Sequence, residues 1–476
     1  MSKRALYGSM AAALLLSGCA IGPDYVKPDV PVPESFKDAN GKAAVQEEWW
    51  KAFDDPALSA AVTEALKANN DLKAAQAQVD ALLGKFDQAK SYLYPQINGN
   101  ASLTRKGVDN AVASSPSNLR EGVTSTYAAS LSLASYEIDL FGKVRRANEA
   151  ARALLLSSEY TRQALRLSTA AAVAASYLKL SALDGQIALA QENLQASADI
   201  EAQSELKYRH GTISESVYLQ AKSEVQSARA ALSELRGARI AEEAVFNLLC
   251  GSNPREVNTT DLEKISLPEV PSALPSTLLQ QRPDIASAEQ ELIAANAQIG
   301  IAKAAYFPSI RLTGMLGVQS LDLGDFLSNP TRLWELAPSV SVPVFSAGRI
   351  KGEIKTAEAD HNRSLARYRQ TIIGAFNDTA SALGQNTQAK EQLFHQNARA
   401  EAIGRAFEQA RLRYRIGVIS YSDMLLVQQQ WLQARQSALI ARQNALTASV
   451  GLYKALGGGW DGNSSLPPSD YLPAGR

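Results

Sequence analysis

The chain has 476 residues, and 48 lysines and arginines balance 48 aspartates and glutamates, so its formal net charge is zero. That balance gives no electrostatic reason to expect a nucleic-acid partner. Alanine is abundant among Gln, Glu, Arg and Leu, a composition that is typical of long helices.

The first 18 residues are predicted to be a signal peptide. Lys3 and Arg4 form its basic end and residues 10–16 its apolar part, which is too short to span a membrane. The following Leu16-Ser17-Gly18-Cys19 resembles a bacterial lipobox, in which the cysteine becomes the lipidated first residue; the alternative is an ordinary signal peptide with a chance cysteine. Ala20 stands where an aspartate would retain such a lipoprotein in the inner membrane. The resemblance therefore points to a lipid on Cys19 and to the outer membrane.

Residues 19–55 are predicted to form a lipid-anchored, proline-rich N-terminal strap, because the prolines exclude regular helix and favour an extended chain. A helical pattern then covers residues 56–93, about 57 Å at 1.5 Å per residue, and a non-helical interval covers residues 94–141. The next helical pattern, residues 142–208, would be about 100 Å long. Asp184–Gly185 is the place within it that suggests a break.

Alternation of apolar and polar residues in the non-helical intervals predicts four strands. They begin near Gln96, Thr126, Ser309 and Leu333, the last continuing through Val342 and Val344. This pattern is typical of transmembrane β-barrel strands, although a half-buried strand of a soluble sheet gives the same alternation. Each interval would hold one hairpin, with polar loops at residues 114–121 and 322–329.

A repeated turn separates the long helical patterns, since residues 207–214 read KYRHGTIS and residues 413–420 read RYRIGVIS. Gly211 and Gly417 fit the position after a helix where φ is positive. Ser214 and Ser420 fit the N-cap of the returning helix. Asp423, three residues after Ser420, can complete a capping box.

The two turns belong to two copies of one unit, predicted at residues 56–251 and 275–457. Gly142 and Gly348 lie 206 positions apart, as do Gly211 and Gly417. Residues 252–274 are predicted to form the connector between the copies, and residues 458–476 a polar C-terminal tail.

No residue combination predicts an enzyme, a metal site or a cofactor. The three histidines, His210, His361 and His395, are scattered without metal-ligand spacing. Cys250 stands in an apolar run and is predicted to be a buried small hydrophobe. We therefore expect no catalytic residues and no bound cofactor.

Several motifs together resemble the TolC/OprM-like outer-membrane factor family in its lipoprotein, NodT-type branch. They are CAIGPDYVKPDVPVPESF, WWKAFDDPALSAAVTEALKANNDLKAAQAQV, YLYPQI with YFPSI, YEIDLFGKVRRA with VPVFSAGRIKGEI, and the paired turns. They cover nearly all of the mature chain. The resemblance implies a mainly α fold with a small β part and two internal repeats. Three chains would contribute four strands each to a 12-stranded transmembrane β-barrel, continuous with an α-helical barrel in the periplasm.

The implied function is a passive exit duct of a tripartite efflux pump. Its partners would be two further copies of the chain, a periplasmic adaptor, an inner-membrane transporter and outer-membrane lipids. Two alternatives stay open: an outlet of a protein secretion system, and a structural periplasmic coiled-coil lipoprotein without a pore. The four alternating strands count against the poreless protein.

The resemblance also places the repeated turns at the periplasmic end of the duct, as its gate and adaptor contact. The implied residues are Lys207, Tyr208, Arg209, Gly211, Ser214, Arg413, Tyr414, Arg415, Gly417, Ser420 and Asp423. Relatives often carry an acid in an L-L-D-x-Q run, where this chain has Leu426. Asp423 is the nearest substitute. We expect Asp423 to be a helix cap, or to bond with Arg413 and Tyr414 across neighbouring turns and hold the duct shut.

Overall fold

The structure is a computed structural model that describes residues 20–32, 45–108, 122–270, 280–458 and 460. The predicted signal peptide, Cys19 and the loop at residues 114–121 lie outside the described residues, as do parts of the strap, the connector and the C-terminal tail.

Over these residues the chain is mainly helical with one small antiparallel sheet, as predicted. The α-helices are α1 (Pro56–Ala68), α2 (Asn70–Ser91), α3 (Lys143–Arg209), α4 (Glu215–Leu249), α5 (Pro283–Ala304), α6 (Leu323–Ser328), α7 (Arg349–Arg415) and α8 (Tyr421–Ala455). The strands are β1 (Ile97–Val108), β2 (Gly122–Ile138), β3 (Ser309–Ser320) and β4 (Thr331–Ser341). Short 3-10 helices cover Trp49–Phe53 and Leu262–Lys264.

The long helices come in two pairs of equal length. Helices α3 and α7 have 67 residues each, and α4 and α8 have 35 each. Every boundary of the second pair lies 206 positions after its counterpart in the first pair. None of the described helices is both long enough and apolar enough to cross a membrane.

The predicted single helix at residues 56–93 is wrong, because the chain breaks at Asn69 into α1 and α2. The Asn69 side-chain oxygen accepts hydrogen bonds from the backbone N–H groups of Asp71 and Leu72, at 2.9 and 3.1 Å. Its side-chain nitrogen donates to the carbonyl of Leu249 at 2.8 Å. A buried asparagine therefore caps α2 and ties it to the end of α4.

Three other local expectations also fail. Helix α3 continues through Asp184–Gly185 without a break, and a Cβ on Gly185 would lie 3.5 Å from the Leu439 side chain, so this glycine allows close helix packing. The predicted polar loop at residues 322–329 contains the short helix α6, because the Asp322 side chain caps the N–H groups of Gly324 and Asp325. The predicted extended strap includes the 3-10 helix Trp49–Phe53.

The sheet has the strand order β1-β2-β3-β4, so each predicted hairpin forms and the two hairpins pair through β2 and β3. Directly opposed residues share a face. One row across all four strands is Gly99, Leu131, Leu316 and Trp334, and the next row on the opposite face is Asn98, Ser132, Met315 and Glu335. The predicted alternation is thus present. The strand predicted to include Val342 and Val344 ends at Ser341.

The chain divides into two compact units. In its described parts, unit 1 contains residues 20–29, 79–158 and 288–368, and unit 2 contains residues 30–78, 159–287 and 369–460. The core of unit 1 includes Leu155, Leu292 and Ile350. The core of unit 2 includes Trp49, whose ring stacks on Tyr453 with centroids 5.3 Å apart.

Within unit 1 the first part of the strap is extended, as predicted, and crosses α5 by direct backbone contact. A Cβ on Gly300 would lie 2.7 Å from the carbonyl oxygen of Ile21, and a Cβ on Gly22 would lie 2.5 Å from the Gly300 Cα. On either side, Asn296 donates to the carbonyl of Pro23 at 2.9 Å, and Arg146 pairs with Asp24 at 2.6 Å. These contacts give the strap one fixed path.

Candidate functional site at the two helix turns

The first turn, between α3 and α4 in unit 2, is closed by the backbone hydrogen bonds of a helix C-terminal motif. Gly211 has a φ of 70°. Its N–H donates to the carbonyl of Tyr208 at 2.9 Å, and the N–H of Thr212 donates to the carbonyl of Lys207 at 2.9 Å. A glycine allows this left-handed conformation without a Cβ clash. The predicted positive φ of Gly211 after the end of the helix is confirmed.

The second turn, between α7 and α8, has the same backbone. Gly417 has a φ of 75°, and the N–H of Val418 donates to the carbonyl of Arg413 at 2.9 Å. The Ser420 hydroxyl accepts from the N–H of Asp423 at 3.2 Å, and the Asp423 carboxylate accepts from the N–H of Ser420 at 3.2 Å. The predicted capping box is therefore confirmed.

The two N-cap serines differ. Ser214 has the extended backbone of an N-cap, but its side chain makes no capping hydrogen bond. Val217 stands three residues after Ser214, where the second turn has Asp423. The first turn therefore lacks the reciprocal carboxylate, and the N-cap prediction holds there for position but not for the side-chain bond.

The two turns pack against each other through an apolar cluster. Its buried members are Ala221, Tyr421, Met424 and Leu425, and Ile200, Val217, Tyr414 and Ile419 pack on them. Burial, followed by the nearby Glu224 carboxylate, raises the pKa of Tyr421 to about 12. The cluster joins residues from α3 and α4 to residues from α7 and α8, so it holds one helix pair on the other.

Polar contacts join the same two helix pairs around this cluster. The Lys207 ammonium lies over the Tyr414 ring, 5.4 Å from its centroid, which is a cation–π contact. The Ser422 hydroxyl lies 3.4 Å from the Gln220 side-chain oxygen, and the buried Gln428 donates to Asn193 at 3.1 Å. The exposed contacts among these are individually weak, so they add little to the apolar cluster, which provides most of the packing between the helix pairs.

The expected Arg413–Tyr414–Asp423 network does not form within one chain. Tyr414 meets Lys207, and the Asp423 carboxylate accepts from the backbone and hydroxyl of Ser420. Arg209 pairs with Glu205 on its own helix at 2.5 Å. Arg413 and Arg415 have no ion-pair partner in the part of the chain that the structure describes. The side chain of Leu426, at the usual acidic position, is exposed.

Sequence reasoning missed three contributors to the turns. Tyr218 stacks on Tyr208 with ring centroids 5.5 Å apart and planes within 4°. Gln220 and Ser422 approach each other across the two helix pairs. Tyr218 follows the N-cap Ser214 by four residues, a spacing that returns a side chain towards the preceding turn, and this spacing is the signal that would have found it.

Known proteins share both the sequence pattern and this fold. The model of the family described as "Outer membrane efflux protein" matches residues 61–252 and 274–458. The "Toluene efflux pump outer membrane protein TtgC" of Pseudomonas putida is 32% identical over 471 residues, covering 96% of each chain. The "Cation efflux system protein CusC" of Escherichia coli is 30% identical over 459 residues, covering 94% of this chain and 98% of its own.

Among solved structures, the Campylobacter jejuni CmeC outer membrane channel superposes with a TM-score of 0.84 at 28% sequence identity. The superposition covers 94% of this chain and 96% of CmeC. The fold is therefore shared over nearly all of both chains.

Proposed function

Because this chain belongs to the outer membrane efflux protein family, we propose that three copies of it close into one channel and that its paired turns gate that channel. The protein is an outer-membrane channel of an efflux pump. What it adds to the pump is a passage, and we propose that this passage opens and closes at the turns.

The open sheet is the observation that supports closure by several copies of the chain. Strands β1 and β4 are its edges, and Leu131, Leu316 and Trp334 are exposed on one face at 56%, 64% and 79%. In lipid every backbone polar group must be bonded within protein, so a sheet with an apolar outer face has to close. Four strands are too few for a closed barrel, whereas two copies would supply eight strands and three would supply twelve; three is the number that the family resemblance implies.

The gate is supported by the contacts between the two helix pairs at the turns. The cation–π contact joins the exposed Lys207 to the half-buried Tyr414, and Ser422 and Gln220 are both exposed, so each contact contributes only about 0.5–1 kcal/mol. In the proposed resting state these contacts act together with the apolar cluster to keep the helix pairs together. A periplasmic adaptor that engages the turns would separate them, and an inner-membrane transporter would drive the substrate.

The lipid anchor is a further part of the proposal. Cys19 lies outside the described residues. The next residue, Ala20, lies against Gly142, where a Cβ would be 2.6 Å from the Ala20 Cα. The described part of the strap therefore begins beside Gly142, between β2 and α3. A lipid on Cys19 would tether the strap to the outer membrane.

A planar bilayer measurement tests the channel and the gate together. Purified wild-type protein should have the mass of a trimer in detergent and give small, intermittent conductance. Lys207→Met removes the charge but keeps the length of the side chain, and should raise the open fraction about two- to fivefold, for a loss of about 0.5–1 kcal/mol. Lys222→Met, on the exposed face of α4, is the matched control and should leave conductance unchanged.

The outcomes of this experiment can contradict the channel and the gate separately. A monomeric protein without conductance would contradict the channel. A trimer whose conductance does not respond to Lys207→Met, or responds equally to Lys222→Met, would contradict the gate. Toluene and a cation salt are the first substrates to test in a deletion strain, because the two relatives are named for toluene and for cations.

A further inference from the structure

The face of the sheet that carries Leu131, called here the Leu131 face, has charged side chains at two positions in the described strands. Alternation along the strands places Arg105, six residues after Gly99, and Arg332, two residues before Trp334, on this face. No carboxylate of the described strands lies on it. The other charged residues of these strands all lie on the opposite face: Lys106, Glu137, Arg311 and Glu335.

Each arginine lies where an uncharged run of its strand ends. On the Leu131 face, the positions within residues 97–103 of β1 and 334–340 of β4 are uncharged, and Arg105 and Arg332 are the next positions on that face. Each arginine is eight residues from the far end of its run, about 27 Å at 3.4 Å per residue. In strands tilted by about 35–45°, this length covers about 19–22 Å of membrane depth, against an apolar band of about 25 Å. The arginines therefore lie at the boundary between the apolar band and the lipid headgroups.

This boundary is at the end of the sheet where the hairpins turn. At the other end, β1 and β3 follow α2 and α5, and β2 and β4 precede α3 and α7. In the proposed channel the long helices extend into the periplasm, so the hairpin end of the sheet faces the outside of the cell. The two arginines would therefore meet the outer leaflet of the outer membrane.

Both arginine side chains are exposed, and neither has an ion-pair partner in the part of the chain that the structure describes. Beside Arg332 the Leu131 face has a shallow groove of about 630 Å³, where Gly99, Ala101 and Ala129 leave room between larger side chains. A lipid complements both features, because its phosphate has the charge opposite to the guanidinium and its acyl chain suits the apolar groove.

We propose that Arg105 and Arg332 bind phosphate groups of the outer-leaflet glycolipid, and that an acyl chain of the lipid at Arg332 lies in the groove. This inference rests on the proposed closed channel and adds a specific lipid contact to it. A guanidinium presents parallel N–H donors that match a phosphate group, and its long side chain reaches from an apolar surface to the headgroups. A phosphate monoester carries about −1.5 to −2 charges at neutral pH, so a glycolipid with monoester phosphates should bind better than a phosphodiester lipid.

Native mass spectrometry of the purified full-length trimer, titrated with diphosphoryl lipid A in detergent, tests the site. Arg105→Gln combined with Arg332→Gln removes both guanidinium groups and should weaken lipid A binding about tenfold or more. The matched control is Lys106→Gln combined with Arg311→Gln, which removes two exposed positive charges from the opposite face. Because those charges point away from the lipid, the control should change the affinity less than about twofold.

Two further comparisons test the identity of the lipid and the groove. Phosphatidylglycerol, whose phosphate is a diester, should bind wild-type protein more weakly than lipid A. Ala101→Leu fills the groove without changing the charge, and should also weaken binding of lipid A. Equal affinity of wild-type protein for the two lipids would overturn the assignment to the glycolipid, and unchanged binding by Ala101→Leu would overturn the acyl-chain contact.

The remaining outcomes separate the site from the channel. Equal loss of lipid A in the two double variants, or no loss in either, overturns the arginine site. If the variant lacking both arginines does not assemble, Arg332→Gln against Arg311→Gln decides by the same criterion. Wild-type protein that is monomeric and does not conduct contradicts the proposed channel itself, whereas a conducting wild-type trimer that does not bind lipid A contradicts only this inference.

Discussion

At the scale of single residues, the two turns show how similar sequences reach the same backbone with different side-chain bonds. Both use a glycine with positive φ and an N-cap serine. Only the serine of the second turn, Ser420, accepts a hydrogen bond from the helix that follows. The two serines therefore form a natural comparison within one protein.

Replacing Ser420 by alanine should destabilise the second turn, whereas the same change at Ser214 should have almost no effect. Ser420→Ala removes the accepted bond and leaves the Asp423 carboxylate without its hydroxyl donor, which costs about 0.5–2 kcal/mol. Ser214 makes no such bond. Thermal unfolding of the purified protein, followed by circular dichroism, measures both. Equal losses for the two variants would contradict the capping role.

Tyr421 makes the packing between the turns sensitive to alkaline pH. Its folded-state pKa of about 12 exceeds the ordinary value of 10.0, because the buried phenol resists ionisation. The unfolded chain therefore loses this proton first. The contribution of Tyr421 to the free energy of unfolding is therefore complete below pH 10 and is lost as the pH rises through 12.

The measurement is the difference in melting temperature between wild type and Tyr421→Phe, recorded from pH 8 to pH 12. That difference should be constant below pH 10 and then move in favour of Tyr421→Phe, since phenylalanine has no proton to lose. Tyr218→Phe is the control, because Tyr218 is only half-buried. A wild-type-to-Tyr421→Phe difference that stays flat to pH 12 would remove the ionisation argument.

At the scale of elements, the two faces of the sheet should respond differently to charge. Leu131→Arg places a guanidinium on the apolar face and should cost about 2–4 kcal/mol near the bilayer midplane. Ser132→Arg places the same group one residue further on β2, on the polar face beside Asn98 and Met315, and should be much milder. The amount of trimer in outer-membrane fractions is the measurement. Equal loss from both variants would indicate a soluble sheet.

The packing of the strap on α5 depends on the absence of a Cβ at Gly300. Gly300→Ala would place a methyl group 2.7 Å from the Ile21 carbonyl and 2.9 Å from the Arg146 Cγ, so the strap must shift, at a cost of about 1–3 kcal/mol. Gly352→Ala, on α7 with nothing within 4 Å, is the control and should be neutral or stabilise by up to about 1 kcal/mol.

Limited proteolysis of the strap, together with the melting temperature, separates these two outcomes. Cleavage near residues 20–32 should accelerate in Gly300→Ala and stay at the wild-type rate in Gly352→Ala. If both variants are cleaved at the wild-type rate, the backbone contact between strap and α5 is not what holds the strap.

The elements also show where sequence reasoning succeeds and where it stops. Alternation predicted the hairpins, and repeated glycines and serines predicted the turns, because these signals are local. The break at Asn69 escaped although its capping bonds to Asp71 and Leu72 are local, since its bond to Leu249, 180 positions away, is not visible in a local pattern. Gly185 suggested a break but serves packing against Leu439. The contact of Lys207 with Tyr414 likewise joins positions that no local pattern relates.

At the scale of the whole molecule, Cys19 is predicted to carry the lipid that anchors the chain. Cys19→Ala should abolish incorporation of labelled palmitate, because Leu16-Ser17-Gly18-Cys19 is the lipobox-like site of the sequence. Cys250→Ala is the matched control and should incorporate label normally, since the thiol is buried. Label that persists in Cys19→Ala would show that the assignment is wrong. Location in the membrane is a poorer test, because the proposed barrel can hold the protein there without lipid.

The equal helix lengths couple the evolutionary histories of four distant segments. Deleting one turn from α3 alone would shift Lys207 by about 5.4 Å and break its contact with Tyr414. The same deletion in α4 alone would break the contact between Gln220 and Ser422. A lineage that shortens or lengthens these helices must change all four, 67 with 67 and 35 with 35 residues. Among descendants, an insertion or deletion in one of the four helices should therefore be accompanied by matching changes of length in the other three.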